Sequence, residues 1–158
     1  MKTICFILIL ISSAMADDPF NRAIEFVLMH EGGYCHDEGW ESNFGICSRW
    51  YPKEDMKNMK RERAIEIYRK DYWERMGCNV QINYGFALLI FDTAVMFGQP
   101  VAEKMLKESY YNMEAFIDLR IDRTALVLQN PQKTKFAKAW MKRFYHLMQE
   151  VYSTSTKG

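Results

Sequence analysis

The feature that most constrains this chain is an almost uninterrupted apolar segment at residues 84–97. Its apolar side chains are Phe86, Ala87, Leu88, Leu89, Ile90, Phe91, Ala94, Val95, Met96 and Phe97. A helix that is apolar on every side is stable in water only where other elements surround it. The segment therefore predicts a central, buried helix, which ends at Gly98.

Five further helices are predicted from apolar periodicity, capping residues and helix breakers. They cover residues 18–31, about 60–76, 100–110, 112–130 and a last segment that ends near residue 152. Only residues 33–50, with their glycines and alternating aromatic residues, have the pattern of a short β-hairpin. The predicted fold class is therefore mostly α, with one small β-hairpin after the first helix.

The first 16 residues have the organisation of a signal peptide. Lys2 supplies the charged start, residues 4–11 form the apolar run, and Ala14-Met15-Ala16 forms a cleavage site. The apolar run is too short for a typical membrane span. We therefore expect a mature chain that begins at Asp17, is exported to the periplasm or the extracellular space, and does not stay inserted in a membrane.

Composition argues against several kinds of partner. The chain of 158 residues has a formal net charge of +1, so no basic surplus points to nucleic acid or to anionic membranes. The three histidines are scattered and no cysteine pair has metal-ligand spacing, so neither a metal site nor a cofactor is predicted. After the signal segment the cysteines are Cys35, Cys47 and Cys78. Cys35 and Cys47 could form a disulfide, or all three could be buried apolar side chains.

One carboxylate stands in an unfavourable place. Glu31 continues the apolar stripe of the first helix and precedes Gly32, which suits the left-handed residue that often ends a helix. Burial and the negative end of the helix dipole both disfavour the ionised carboxylate. A carboxyl group that keeps its proton in this way can serve as a general acid. The alternative is an exposed glutamate at a helix end that has no catalytic role.

A glycine-rich segment with three further acidic residues follows Glu31. Asp37, Glu38 and Glu41 lie on it. Cleavage of a glycosidic bond uses one protonated carboxyl group and a second carboxylate that stabilises positive charge, attacks the sugar or activates water. The pattern therefore indicates a glycosidase, with merely solvated loop carboxylates as the alternative. The hydroxyl of Ser42 could orient a water or bond to local backbone groups.

Several motifs occur in an order that is typical of one enzyme family. They read E-G-G-Y at residues 31–34, D-x-G at 37–39, S-N-F-G-I at 42–46, I-Y-R-K-D-Y-W at 67–73 and F-D-T-A-V at 91–95. L-R at 119–120 and F-A-K-A-W-M-K-R at 136–143 follow. Over residues 20–150 the chain thus resembles the phage-type muramidases of glycoside hydrolase family 108, including the peptidoglycan-binding-type helical segment that follows in this family.

The resemblance implies a lysozyme-like helical fold and hydrolysis of the β-1,4 bond between N-acetylmuramic acid and N-acetylglucosamine. Glu31 matches the catalytic glutamate of the family, Asp37 its aspartate and Ser42 its threonine. The gap before Asp37 is shorter than in the family pattern, so Glu38 or Glu41 is an alternative second carboxylate. The implied domains are a catalytic domain at residues 17–111 and a helical subdomain at 112–152 packed on it, followed by a polar tail at 153–158.

Five residues are candidates for contacts with the sugar chain. They are Trp40, Asn43, Tyr72, Trp73 and Asp92. Trp40 lies on a loop, whereas Tyr72 and Trp73 have the spacing of helix positions that usually face a core. Asp92 lies in the most apolar helix, so it must be hydrogen-bonded or protonated. A structural role for Asp92 is the alternative.

We therefore predict an exported, monomeric peptidoglycan muramidase that needs no cofactor. Two alternatives from other classes remain. One is a non-catalytic cell-wall-binding protein or effector on the same scaffold. The other is a cysteine hydrolase that pairs Cys35 or Cys47 with His30 or His36, although a cysteine and a histidine near in sequence do not by themselves make a catalytic pair.

Overall fold

The computed structural model describes residues 18–37, 39–81 and 83–153. The signal segment predicted at 1–16, the candidate Glu38 and residues 154–158 of the polar tail lie outside these ranges. The described chain divides into two compact units, one up to Lys70 and one from Asp71. The domain boundary predicted between residues 111 and 112 stays a prediction. Among the described residues, no helix is both long and apolar enough to cross a membrane.

The first unit begins with helix α1, Pro19–His30. The Asp18 carboxylate accepts a hydrogen bond from the amide of Phe20 at 2.9 Å, and Pro19 occupies the first turn, as the sequence predicts. The helix ends because Glu31 is extended, with φ −87° and ψ 144°. The predicted left-handed cap at Gly32 is therefore wrong, since Gly32 is not among the glycines with positive φ.

A three-stranded antiparallel sheet follows α1. Its strands are β1, Cys35–Asp37, β2, Trp40–Asn43, and β3, Ile46–Cys47, in the order β1-β2-β3. The sequence predicts one hairpin here, and the structure adds a second turn and a third short strand. In this second turn Asn43 pairs with Ile46, and both central residues have positive φ, +50° at Phe44 and +78° at Gly45. Two such residues define the tight turn that best matches the twist of paired strands.

The predicted helix at 60–76 is not a regular α-helix along its length. Helix α2 spans Arg61–Ile67, and a π-helical turn, Tyr68–Glu74, continues it. π-helical turns occur mostly as local bulges, often next to functional sites, and apolar spacing does not reveal them. Within the first unit, Arg69 at the start of this turn donates to the Asp18 carboxylate at 2.8 Å and lies 4.1 Å above the Phe20 ring. These contacts connect the turn to the start of α1.

The second unit is built on the predicted central helix. Helix α3 spans Tyr84–Phe97, and its residues 85–94 are buried. The other helices are α4, Gln99–Glu108, α5, Met113–Leu128, the short α6, Pro131–Thr134, and α7, Ala137–Ser153. Helix α3 packs against α4, α7 and the 3-10 turn Cys78–Val80. Asn112 caps α5 as predicted, since its side chain accepts from the amide of Ala115.

A buried ion-pair cluster joins three helices of the second unit. Both carboxylate oxygens of Asp92 on α3 are engaged: Oδ2 accepts from Arg120 of α5 at 2.6 Å, and Oδ1 accepts from Arg143 of α7 at 2.7 and 2.9 Å. Burial by itself raises the pKa of Asp92, but the Arg143 and Arg120 guanidinium groups outweigh it and hold that pKa below its ordinary value. Arg120 and Arg143 therefore connect α5 and α7 to α3 through buried salt bridges.

Removal of the central carboxylate should strongly destabilise the protein. Asp92→Asn leaves two buried guanidinium groups without a counter-charge, so we expect a loss of about 3–5 kcal/mol in the free energy of unfolding, measured by urea denaturation. Glu74→Gln, at an exposed position of the same unit, is the control and should change that free energy by less than about 0.5 kcal/mol.

The pH dependence of this cluster has a defined sign. Because the pKa of Asp92 is lowered on folding, its contribution is fully present at neutral pH and is lost as the pH falls below about 4, the value for an unfolded carboxyl group, toward the folded pKa. The difference between Asp92→Asn and the native chain should therefore shrink in acid. Equal stability of the two chains at pH 7 contradicts the assigned role. If Asp92→Asn does not fold, a variant with apolar residues at 92, 120 and 143 should recover folding.

Candidate active site

The carboxylate of Glu31 rests against the turn between β2 and β3. A Cβ atom added to Gly45 would lie 2.5 Å from Oε2 of Glu31 and 2.6 Å from the hydroxyl oxygen of Tyr68. Real side chains do not approach this closely, and the φ of +78° at Gly45 also disfavours any residue with a side chain. Only glycine therefore allows the Glu31 carboxylate and the Tyr68 hydroxyl to lie beside the same point of the backbone.

Tyr68 holds this turn in place. Its side chain is buried, and its hydroxyl donates a hydrogen bond to the carbonyl of Phe44 at 2.9 Å. A φ of +50° is unusual for a residue as large as Phe44, and such strained backbone persists only where neighbouring contacts support it. Sequence analysis did not single out Tyr68, because its helical spacing is that of an ordinary core residue. The one available signal was its place in the motif at residues 67–73.

Glu31 itself is half-buried, less than the apolar stripe of α1 predicts. Its amide donates to the carbonyl of Val27 at 3.1 Å, so its backbone belongs to the helix end while its side chain lies at the sheet. This placement leaves the carboxyl group accessible and fixes its position through both α1 and the β2–β3 turn. A carboxyl group held in this way can transfer a proton to a bound ligand.

The other candidate carboxylates differ in what they bind. Asp37 is exposed at the end of β1, opposite Trp40, and its side chain has no ion pair or hydrogen bond within the described ranges. Glu41 on β2 accepts a hydrogen bond from the Tyr34 hydroxyl at 2.5 Å, a bond that raises the pKa of Tyr34. Of these two, Asp37 is therefore the one that is available to a ligand.

Ser42 lies between two cysteines in the sheet. The register places Ser42 opposite Cys35 on β1 and opposite Cys47 on β3, and the Ser42 hydroxyl is 3.0 Å from the Cys35 sulfur. Two strand spacings separate Cys35 from Cys47 by about 10 Å, too far for a disulfide. The disulfide alternative therefore does not hold, and these cysteines and Cys78 are free. Burial raises the pKa of the Cys78 thiol to about 12, which makes that thiol unreactive.

Aromatic residues cover the exposed side of the sheet. Trp40 is 46% exposed, and the Arg49 guanidinium group lies 6.0 Å from its ring and 5.2 Å from the ring of Trp50. Flat exposed rings of this kind can stack on sugars, and sequence analysis missed Trp50 because it has no motif around it. Asn43 differs, because it is buried and its amide donates to the Met56 carbonyl at 2.9 Å, which is a structural contact.

Three predicted sugar-binding residues belong to the second unit. Trp73 is buried and lies edge-on to Phe91, with 5.4 Å between the ring centroids. Asp92 is fully buried in its ion-pair cluster. For both residues these contacts favour the structural alternative. Tyr72 is partly exposed and stays a candidate. Among the described residues, no group of three or more histidine, cysteine or acidic side chains is placed to hold a metal ion.

The contact at Gly45 can be tested with a matched pair of substitutions. Gly45→Ala should lower the free energy of unfolding by about 2–4 kcal/mol, because it combines a strained φ with a collision against Glu31 and Tyr68. Gly39→Ala has a similar φ of +82° but open space around the new Cβ, so it should lose only about 1–2 kcal/mol. Equal losses, measured by thermal and urea unfolding, would show that the contact with Glu31 is not tight.

Comparison with known proteins finds a family match over the segment that contains these residues. Residues 24–98 match the family described as Glycosyl hydrolase 108. No curated protein matches the chain. The matched segment contains Glu31, Asp37, Ser42 and Tyr68 and extends through the central helix α3. The match over residues 24–98 identifies a glycosyl hydrolase 108 segment in the chain and supports a lysozyme-like, muramidase-type glycoside hydrolase.

Proposed function

We propose that this enzyme cleaves the β-1,4 bond between N-acetylmuramic acid and N-acetylglucosamine, with Glu31 as the general acid. The observation that carries the proposal is the placement of the Glu31 carboxylate against Gly45, beside the buried Tyr68 hydroxyl. The carboxyl group is accessible and held by both a helix end and a rigid turn. A general acid needs this positioning, since it must deliver its proton to the leaving oxygen of the sugar.

Asp37 is the proposed second carboxylate. It lies on the sheet edge, exposed to solvent, and its side chain has no ion pair or hydrogen bond with the described residues, so it is available to a ligand. Such a carboxylate stabilises the oxocarbenium-like transition state, attacks the anomeric carbon or activates a water. Ser42 on the neighbouring strand carries a hydroxyl that can orient this water. Its contact with the Cys35 sulfur fixes the side chain on that face of the sheet.

Substrate binding is proposed at the exposed aromatic surface of the sheet. The Trp40 ring offers a flat apolar face to a sugar, and the neighbouring Arg49 offers hydrogen-bond donors to ring substituents or carboxylates. Tyr72 is a further candidate contact because its side chain is partly exposed. Export to the periplasm or the extracellular space, directed by residues 1–16, is part of the proposal because the substrate is a component of the cell wall.

Replacement of the Glu31 carboxyl group should abolish most of the hydrolysis of peptidoglycan. For the mature chain with Glu31→Gln, we expect release of reducing ends from purified peptidoglycan to fall about 10²- to 10⁴-fold, because the amide cannot donate a proton to the leaving oxygen. Glu62→Gln, at an exposed position on α2, is the matched control and should keep full activity. Both variants must show the native thermal unfolding curve.

Equal activity of Glu31→Gln and the native chain contradicts the assignment of Glu31 as the general acid. If neither chain releases reducing ends but both sediment with peptidoglycan, the non-catalytic cell-wall-binding alternative is correct. If activity persists in Glu31→Gln and is lost on thiol alkylation, the cysteine hydrolase alternative is correct.

Two substitutions distinguish Asp37 from Glu41 as the second carboxylate. Asp37→Asn should lower the hydrolysis rate about 10²-fold or more, because the amide cannot stabilise the positive charge of the transition state. Glu41→Gln should have a much smaller effect, since Glu41 is engaged by Tyr34. The reverse order of effects assigns the role to Glu41. The anomeric configuration of the first product, read by NMR, shows whether the carboxylate attacks the sugar or activates water.

A further inference from the structure

A solvent-accessible apolar cleft lies between α5 and α7 in the second unit. Its volume is about 340 Å³, and it is lined by Ile121, Thr124, Ala125, Leu128, Met141 and Phe144. Ile121 is 47% exposed and Met141 53% exposed. The α5 residues follow the i, i+3, i+4, i+7 spacing of a helix face that is normally covered. A continuous exposed apolar face of this kind usually marks an interaction surface.

Two charged stripes border this cleft. The acidic stripe on α5 consists of Glu114, Asp118 and Asp122, which are exposed and four residues apart. The basic stripe consists of Lys138 and Lys142 on α7, together with Lys135 just before that helix, and all three are exposed. Within the part of the chain that the structure describes, none of these six side chains forms an ion pair.

Helical geometry fixes the order of these features across the face. On both helices the residue that reaches Asp92 points to the core, Arg120 on α5 and Arg143 on α7. At about 100° per residue, Asp118 and Asp122 lie farther around α5 than the cleft residues, and Lys138 and Lys142 lie farther around α7 than Met141 and Phe144. The face therefore runs from acidic through apolar to basic, from α5 to α7.

A face with this order is complementary to itself. A two-fold axis parallel to the cleft lays α5 of one copy on α7 of the other, so each acidic stripe meets a basic stripe and the two apolar clefts cover each other. Closed dimers require this kind of self-complementarity, because the same patch is used by both copies. We propose that this face is the interface of a homodimer, with a second copy of the chain as the occupant of each cleft. This proposal replaces the expectation of a monomer and is independent of the assignment of the active site.

The first test measures the mass of the mature chain in solution. Sedimentation velocity at increasing concentration should show a dimer whose dissociation constant rises with salt between about 50 and 500 mM, because exposed charge pairs are screened. Ile121→Asp and Met141→Asp should each raise the dissociation constant at least about tenfold, since they place a charge in the buried apolar centre. Val80→Asp, at a position 73% exposed in the same unit, is the control and should leave the dimer intact.

The second test reverses the charge stripes. Asp118→Lys with Asp122→Lys gives one variant, and Lys138→Glu with Lys142→Glu gives the other. Each variant alone should be monomeric, because like charges then face each other across the two-fold axis. An equal mixture should form heterodimers, since the basic face of the first variant then meets the acidic face of the second.

Several outcomes overturn the proposal. They are a native chain that is monomeric at all concentrations, a dimer that survives both the apolar and the charge substitutions, and charge-reversed variants that do not associate when mixed. If the native chain is a monomer and Ile121→Asp abolishes its sedimentation with peptidoglycan, the cleft binds the cell wall instead. Native circular dichroism and thermal unfolding of every variant exclude misfolding as the cause of a lost dimer.

Discussion

The first unit depends on one close approach, between the Glu31 carboxylate and the backbone of Gly45. Because no side chain fits there, the β2–β3 turn, the end of α1 and the start of the π-helical turn meet at a single point. The Tyr68 hydroxyl holds the turn by donating a hydrogen bond to the Phe44 carbonyl. The position of the turn then limits where the Glu31 carboxylate can lie. The fold and the candidate site thus share the same contacts, and the proposed general acid Glu31 is positioned by structure that folding also requires.

The acidic side chains of Asp37 and Glu41 differ in their hydrogen-bond partners, and their positions in the chain do not reveal this difference. Glu41 is bound to Tyr34, whereas Asp37 at the end of the exposed strand β1 has no partner among the described residues. The two carboxylates lie four positions apart on neighbouring strands of one sheet, yet only one is available for chemistry. A spacing motif cannot make this distinction, because the hydrogen bond that removes Glu41 depends on where Tyr34 leaves the helix end.

The second unit depends on a different interaction, the buried ion-pair cluster around Asp92. Asp92 sits in the most apolar of the described helices, where an isolated charge would be very costly, and two arginines from α5 and α7 compensate for it. The cluster links those two helices to α3 on one side, while the cleft between them stays accessible on the other. The same pair of helices therefore supplies a buried ion-pair cluster and an accessible apolar cleft.

The sequence by itself determined the elements whose signals are local. Apolar composition placed α3, capping residues placed the starts of α1 and α5, and the order of motifs indicated the family before any geometry was known. Tertiary structure decided what depends on contacts between distant residues. The extended Glu31 that replaces a left-handed Gly32, the π-helical turn at Tyr68, the third strand, and the burial of Trp73 and Asp92 all belong to this group. The physical reason is that propensity and periodicity report on a residue and its near neighbours, whereas burial, hydrogen-bond partners and the space beside a glycine are set by segments that meet only when the chain is folded.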